Sequence, residues 1–314
     1  VVFFALSGYV IAHTTTGNNR GPSQYAQSRL SRLYSVVLPT LLVTAIIEIS
    51  VRFLDPGLMS HYIRGISWPR YILSGLYLNE IWFFSASPPI NGPLWSLSFE
   101  FWYYVIFGLF FYRAKSWLYL VALLIACLIA GPKILAMMPI WILGNLAYRV
   151  YNPIKRGSLA WIIVFGSLFI AILLAIFLPS YPFKLGSAPL FFAGQFITDF
   201  IIGVFIALAL WALPGFKNST LKTENNRAMS FFRKFADLTF PLYVLHDPLL
   251  VLFRSIWKTK LHDDLQMWTA MVVVFIVSMA LGSLMEENRY KWGRIFKEMF
   301  SMGEKMIVRY TPRP

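Results

Sequence analysis

The sequence predicts an all-α protein, a polytopic bundle of helices in a membrane. The chain has 314 residues, of which 58% are hydrophobic and only 13% charged, and its mean hydropathy is +0.61. A soluble domain would carry roughly a quarter charged residues. Long apolar runs recur along the whole chain, and only helices or closed barrels satisfy their own backbone groups in lipid.

Ten apolar segments follow one another, and nine of them are predicted to span. The third, 71–84, is short and contains Asn79 and Glu80. If it stays outside, most of the 28 Lys and Arg residues fall in cytoplasmic segments; if it spans, most fall outside. We therefore expect a multi-pass protein of the inner membrane with a cytoplasmic C-terminus. The segments are 1–12, 35–54, 71–84, 94–112, 117–131, 134–148, 158–178, 189–213, 239–257 and 267–285.

The two ends of the chain carry separate expectations. Segment 1–12 is shorter than the roughly 20 residues of a span, so we expect the chain to begin partway down a helix, with a missing first span making ten. Ser7 and Gly8 would allow close helix contact there. After a membrane domain at 1–285, the tail 286–314 alternates basic and apolar residues, which predicts an amphipathic cytoplasmic helix on an anionic leaflet. The net charge of +14 reflects cytoplasmic loops rather than nucleic-acid binding.

The most informative stretch is 91–104, which reads NGPLWSLSFEFWYY and holds one carboxylate in an apolar run. At 3.6 residues per turn, Glu100 shares a helix face with Ser96 and Tyr103. A carboxyl group at the bilayer centre costs roughly 2.5–3.5 kcal/mol on insertion scales, so we expect Glu100 to have a functional use. The alternative is that Glu100 lies near the interface and merely hydrogen-bonds a neighbouring helix.

Two arginines stand at the predicted cytoplasmic end of the 35–54 helix. Arg29 and Arg32 are three residues apart in YAQSRLSRLYSVVLP, so they point the same way if the helix begins early. Two guanidinium groups on one face suit phosphates better than ammonium groups would. Ordinary positive-inside anchoring is the other explanation.

A histidine lies near the middle of the 239–257 segment, in FPLYVLHDPLLVLF. Tyr243 precedes His246 by three residues, and Asp247 and Pro248 follow it. Pro248 cannot donate to the carbonyl of Val244, so the helix is kinked and a polar backbone group is freed. A titratable imidazole beside a loosened carbonyl indicates a functional pocket. The alternative is a structural histidine satisfied by a neighbouring helix.

Motifs of several enzyme classes are missing from the sequence. It contains no GxSxG elbow, Walker loop, HExxH or Cys/His cluster, and Cys127 is the single cysteine. Hydrolase, ATPase and metalloprotease functions are therefore unsupported, and no metal site is expected.

With these residues in hand, the chain resembles acyltransferase family 3, the membrane O-acetylases of cell-surface sugars. Four segments carry the resemblance in the expected order: FFALSGYVI at 3–11, RLSRLYSVVLP at 29–39, GPLWSLSFEFWYY at 92–104 and LYVLHDPLL at 242–250. Two features depart from the family pattern. The family's proposed catalytic histidine, with a partner arginine, belongs to a first helix that this sequence lacks, and Phe101 stands where many members carry a second acidic residue.

The resemblance implies a membrane O-acyltransferase that moves an acyl group, commonly acetyl, from cytoplasmic acetyl-CoA to a hydroxyl of a cell-surface or exported glycan, a polysaccharide or lipopolysaccharide. Its partners would be acyl-CoA, the glycan and the bilayer, with no tightly bound cofactor. On the same basis, Glu100 and His246 would be catalytic. The substrate-binding residues would be Arg29, Arg32, Trp95, Ser96, Ser98 and Tyr243.

Two other functions are compatible with the sequence. A transporter or flippase for a lipid-linked saccharide would use the same buried polar residues as a substrate path, although no internal repeat is visible. An inactive relative that binds a partner complex is the second, because the family's first helix is missing.

Overall fold

The computed structural model describes residues 1–17, 21–154, 157–214, 227–257 and 263–310, without the side chains of 227–234 and 303–310. Within these residues the secondary structure is helical, and the predicted all-α class is confirmed. A short 3-10 turn, Arg113–Lys115, lies between α5 and α6. The helices are α1 (Val2–Gly17), α2 (Pro22–Leu54), α3 (Pro56–Ser60), α4 (Trp68–Gly75), α5 (Leu94–Phe111), α6 (Leu118–Arg149), α7 (Ser158–Phe177), α8 (Phe196–Ala212), α9 (Arg227–Trp257), α10 (Asp264–Glu287) and α11 (Arg289–Tyr310).

Six helical segments of the described residues are long and apolar enough to cross a membrane. Five lie in α2, α5, α6, α7 and α9, and the sixth runs through α10 into α11. Helix α8 is apolar but, at 17 residues, shorter. The helical membrane bundle is confirmed, whereas the number of nine spans stays a prediction.

The segment 71–84 contains no spanning helix. Helix α4 has only eight residues and ends at Gly75, and turns follow it as far as the start of α5. Tyr77 and Trp82 both adopt positive φ angles, of 57° and 50°, which a helix does not allow. The prediction from loop charge is therefore confirmed.

The helices form two compact units, each described here by itself. Unit 1 comprises Val1–Gly21, Glu80–Ser85 and Phe99–Lys222, and unit 2 comprises Pro22–Asn79, Ala86–Ser98 and Thr223–Pro314. Helix α5 contributes its first turn to unit 2 and its remainder to unit 1. The predicted division of the chain after residue 285 stays a prediction, and the end of the predicted tail, 311–314, lies outside the described residues.

Unit 1 depends on a very close approach of α1 and α6. A Cβ atom at Gly8 would overlap the carbonyl oxygen of Trp141, and one at Gly144 would overlap that of Ala5. At this crossing the side-chain amide of Asn145 donates to the carbonyl of Gly8 over 3.2 Å. The close helix contact predicted for Ser7 and Gly8 is confirmed.

Helix α6 is broken at Gly131, whose φ of 78° and ψ of 177° lie outside the helical region. A Cβ atom there would also lie 2.7 Å from the Cα of Trp82, so the position requires glycine both for its backbone angles and for space. The break separates the predicted segments 117–131 and 134–148.

Contacts between α5 and α6 indicate that the two arms of α6 run in opposite directions. The second arm runs parallel to α5, because Trp141 packs against Tyr103 and Arg149 lies over the ring of Phe111. The second arm therefore starts level with the beginning of α5, which at a rise of 1.5 Å per residue lies about 25 Å from the end of α5. The first arm begins at Leu118, shortly after α5 ends, and its residues before Gly131 span about 20 Å, so it covers most of that distance in the opposite direction.

The predicted span 189–213 begins later than expected. Helix α8 starts at Phe196, and the residues before it form turns in which Phe183 donates to the carbonyl of Gly194 over 3.0 Å. Phe191 has a positive φ of 47°, and Gly194 packs against the carbonyl of Lys184. This backbone geometry excludes a helix although the residues are apolar.

Unit 2 is built around α2, which contacts α9, α10 and α11. Helix α11 lies on the first part of α2. The ring of Tyr34 is 6.2 Å from that of Trp292 and 5.5 Å from that of Phe296, and Gln27 donates to the carbonyl of Gly293 over 2.7 Å. The predicted amphipathic helix thus packs apolar residues against α2.

We expect Gly8→Ala to lower the free energy of unfolding by about 1–3 kcal/mol, because the added methyl group meets backbone that cannot give way cheaply. Thermal unfolding in detergent measures the change. The matched control is Gly166→Ala in α7, where nothing lies within 4 Å of the added atom, and where the change should be neutral or stabilising by about 0.5–1 kcal/mol. Equal unfolding temperatures for the two variants would contradict the packing described for α1 and α6.

Candidate functional site

In unit 1, the carboxylate of Glu100 is held by two hydroxyl groups. Ser7 donates to Glu100 Oε1 over 3.0 Å, and the hydroxyl of Tyr104 donates to the same oxygen. The indole of Trp141 donates to Ser7 Oγ over 3.2 Å and so orients it. Glu100 is only 6% exposed. The structure therefore fixes a buried carboxylate from three helices: α1, α5 and α6.

The neighbours of Glu100 differ from those that helical spacing indicates. Tyr103 is fully buried and packs against Phe4 at 5.4 Å between ring centroids. Its hydroxyl has no hydrogen-bond partner within the part of the chain that the structure describes. Tyr104, one position later, and Ser7, 93 positions away, take the polar contacts instead.

In unit 2, the turn Asn91-Gly92 is fastened to the kink of α9. Asn91 Nδ2 donates to the carbonyl of Val244 over 3.0 Å, which is the group that Pro248 leaves without a donor. The backbone N–H of Gly92 donates to Asp247 Oδ2 over 3.0 Å. The freed carbonyl predicted from the sequence is thus satisfied by a side chain of the very stretch that leads into α5.

Three of the predicted residues come together at this kink. The hydroxyls of Ser96 and Tyr243 are 2.9 Å apart, and His246 Nδ1 lies 2.6 Å from the carbonyl oxygen of Tyr243. Because a carbonyl only accepts, Nδ1 must carry the hydrogen, so Nε2 of the neutral ring is the acceptor. His246 is therefore oriented to accept a proton at Nε2.

Two other predicted residues of α5 differ in their placement. Ser98 is fully buried, and its hydroxyl donates to the carbonyl of Tyr77 over 2.7 Å. This bond stabilises the turn at Tyr77, whose φ is positive, and the predicted binding role of Ser98 stays a prediction. Trp95, in the first turn of α5, is half-buried.

The arginine pair lies on one helix. Because α2 begins at Pro22, Arg29 and Arg32 are both within it and three residues apart, and both side chains are half-buried. The guanidinium of Arg29 lies 5.9 Å from the ring centroid of Tyr25. The early start of the helix, on which their common direction depends, is thus observed.

A comparison with protein families matches residues 1–287 to the acyltransferase domain of family 3. The chain belongs to this acyltransferase family. No curated protein and no solved structure matches the chain. The protein is accordingly a membrane acyltransferase, of a family that commonly O-acetylates sugars and therefore acts on a donor and a sugar acceptor.

Sequence reasoning missed several polar residues of this acyltransferase. The sequence predicts Ser7 only as a small residue at a helix contact and predicts no role for Asn91, yet both hold candidate site groups in place. The signal for Asn91 was available, because a proline-freed carbonyl needs a donor from elsewhere. Ser7 gave no such signal, since a serine in a helix usually bonds its own backbone.

A buried ion pair was missed as well. Lys133 and Glu80 are both fully buried in unit 1 and in contact, and Lys133 also donates to the carbonyl of Phe84. Ser85 donates to Glu80 Oε1 over 3.0 Å. Burial raises the pKa of Glu80 from 4.5 to about 7, and the ammonium of Lys133 and the hydroxyl of Ser85 oppose this increase.

We expect the free energy of unfolding to decrease as the pH increases from about 4.5 to about 7. Because the pKa of Glu80 is higher in the folded state, the folded protein binds more protons in this window, and its stability falls as they leave. Thermal unfolding across this pH range measures the slope, and Glu80→Gln, which cannot titrate, should flatten it. An unchanged slope in Glu80→Gln would show that other groups cause it.

Proposed function

We propose that this acyltransferase moves an acetyl group from cytoplasmic acyl-CoA to a hydroxyl of a cell-surface or exported glycan, as a multi-pass protein of the inner membrane. Acyl-CoA is a substrate in this proposal, and no tightly bound cofactor takes part. The observation that carries it is the buried carboxylate of Glu100, oriented by Ser7 and Tyr104, in a chain of the acyltransferase family.

The reaction needs a group that accepts a proton. The oxygen of the acceptor hydroxyl attacks the thioester carbonyl, the new C–O bond forms, the C–S bond breaks, and the thiolate of CoA leaves. The hydroxyl proton passes to a base. Glu100 in unit 1 is held in one orientation by hydroxyl donors, and His246 in unit 2 offers Nε2. Each unit thus supplies one candidate for proton transfer.

The donor needs a cationic grip on its phosphate groups. Arg29 and Arg32 project from one face of α2 within its first turns, and forked guanidinium groups bind phosphate oxygens with paired hydrogen bonds. Ser96 and Tyr243 present two hydroxyls beside His246, which suits hydrogen bonding to a hydroxylated acceptor. Trp95 adds an aromatic surface in the same turn of α5.

We expect Glu100→Gln to lower acetyl transfer by about 10²–10⁴-fold, the usual contribution of a positioned acid or base. The measurement follows label from acetyl-CoA into surface polysaccharide. The control is Glu286→Gln, which removes a charge from a partly exposed ion pair with Arg289 and should transfer normally. Normal acetylation with lost polysaccharide export in Glu100→Gln would favour a transporter, and unchanged acetylation and export would leave Glu100 a structural residue.

We expect Arg29→Ala to raise the KM for acetyl-CoA by about tenfold with a smaller effect on kcat, because a charge-assisted hydrogen bond to phosphate is lost. Arg113→Ala is the control, since this arginine bonds the carbonyl of Phe110 in another helix. If both variants change KM equally, the effect is a general loss of positive charge and Arg29 has no specific role.

A further inference from the structure

We propose that a cavity between α9 and α10 in unit 2 binds the glycan acceptor and prefers saccharides that carry amino groups over those that carry carboxylates. This inference rests on the proposed function, because it names the class of acceptor. Most of the residues that line the cavity lie outside the sequence motifs, and Asp247 and Leu250 are the two that belong to LYVLHDPLL.

The cavity has the size of a small-ligand site. Its volume is about 380 Å³, within the range of roughly 300–1,000 Å³ that ligand pockets occupy. Its lining comes from three parts of unit 2: Tyr62 after α3, Asp247 and Arg254 in α9, and Asp263 and Asp264 at the start of α10. The predicted topology places the α9–α10 connection and the stretch after α2 on the side of the membrane opposite the cytoplasm. An exported glycan would be on that side.

One wall of the cavity carries a polar atom that the fold leaves unsatisfied. Oε1 of Gln266 is buried and has no hydrogen-bond partner among the described residues. A buried carbonyl without a donor costs roughly 1–3 kcal/mol. Beside it, Asp263 is fixed in place, because its carboxylate accepts from the backbone N–H groups of Leu265 and Gln266 over 3.1 and 3.3 Å.

One face of α9 leads from the cavity to the cluster at the kink. Tyr243, Asp247 and Arg254 recur at helical spacing, so they share that face. Tyr243 holds Ser96, and Asp247 is oriented by the N–H of Gly92. A saccharide of two or three units that occupies the cavity would extend along this face toward the Ser96 and Tyr243 hydroxyls.

The charge of the lining decides which saccharides fit. Among the described residues, the lining holds three carboxylates, of Asp247, Asp263 and Asp264, and one guanidinium, that of Arg254, which forms no ion pair with any of these residues. A cleft lined mainly by one sign of charge concentrates ligands of the opposite sign. The carboxylates also accept hydrogen bonds from sugar hydroxyls, and Tyr62 offers an aromatic ring to the apolar face of a sugar.

Binding of three trisaccharides to the full chain in zwitterionic nanodiscs tests the proposal. We expect glucosamine trimer, at a pH where its amines are charged, to bind more tightly than maltotriose, and maltotriose more tightly than trigalacturonate, as measured by calorimetry. Asp264→Asn should weaken binding of the glucosamine trimer by about two- to fivefold, the effect of one exposed charge pair. Asp264→Lys should favour trigalacturonate, and added salt should compress all these differences.

The control is Asp237→Asn, the same substitution at an exposed position of α9 away from the cavity, which should leave binding unchanged. Tightest binding of trigalacturonate, no binding of any trimer at millimolar concentration, or equal effects of Asp264→Asn and Asp237→Asn would overturn the proposal. Label transfer from acetyl-CoA that is lost in Glu100→Gln yet unaffected by Asp264→Lys would overturn only the cavity's role and leave the proposed acyltransferase function standing.

Discussion

A polar group inside a helical membrane protein must find its hydrogen-bond partner within the protein, and this constraint explains the arrangement around α9. Pro248 removes the donor of one backbone carbonyl, that of Val244, in the middle of an apolar helix. Asn91 supplies the missing donor and also bonds Thr44 in α2. Because the side-chain amide of Asn91 must lie next to this carbonyl, the stretch that follows Asn91 is fixed as well. Ser96 in that stretch then reaches the hydroxyl of Tyr243. The carbonyl that Pro248 frees is thus the reason that Asn91, Ser96 and Tyr243 have a defined geometry.

In unit 1, the close packing of two helix backbones fixes the geometry of a polar group, the carboxylate of Glu100. The glycines of α1 and α6 let the two helices approach until the amide of Asn145 reaches the carbonyl of Gly8. At this separation the indole of Trp141 donates to Ser7, whose hydroxyl in turn donates to Glu100. The orientation of the carboxylate therefore follows from the absence of side chains at positions that themselves do no chemistry.

The sequence predicted the helical class, the non-spanning segment and the freed carbonyl because each depends on local chemistry. Apolar run length predicts helices in lipid, and Pro248 affects only its own turn. The sequence alone did not determine what tertiary contacts decide. It left the start of α2 open, and the helix begins at Pro22, well before the apolar segment at 35, with Gln27 bonding the carbonyl of Gly293 in α11. Helical spacing placed Glu100 beside Ser96 and Tyr103, whereas Ser7 from a distant helix provides the contact.

Two polar clusters of this chain differ in how much hydrogen-bonding capacity their side chains have left. Glu80 and Lys133 saturate each other, with Ser85 and the carbonyl of Phe84 taking the remaining capacity, and both side chains are fully buried. Such a pair can hold the turn at Glu80–Ser85 in place, but it has no hydrogen-bonding capacity left for a ligand. His246 is different, because its Nδ1 is used by the backbone while Nε2 has no partner among the described residues, and the ring is half-buried. Unused hydrogen-bonding capacity in an accessible place is what binding and proton transfer require. His246 therefore keeps an acceptor that a substrate could reach, whereas the ion pair of unit 1 keeps none.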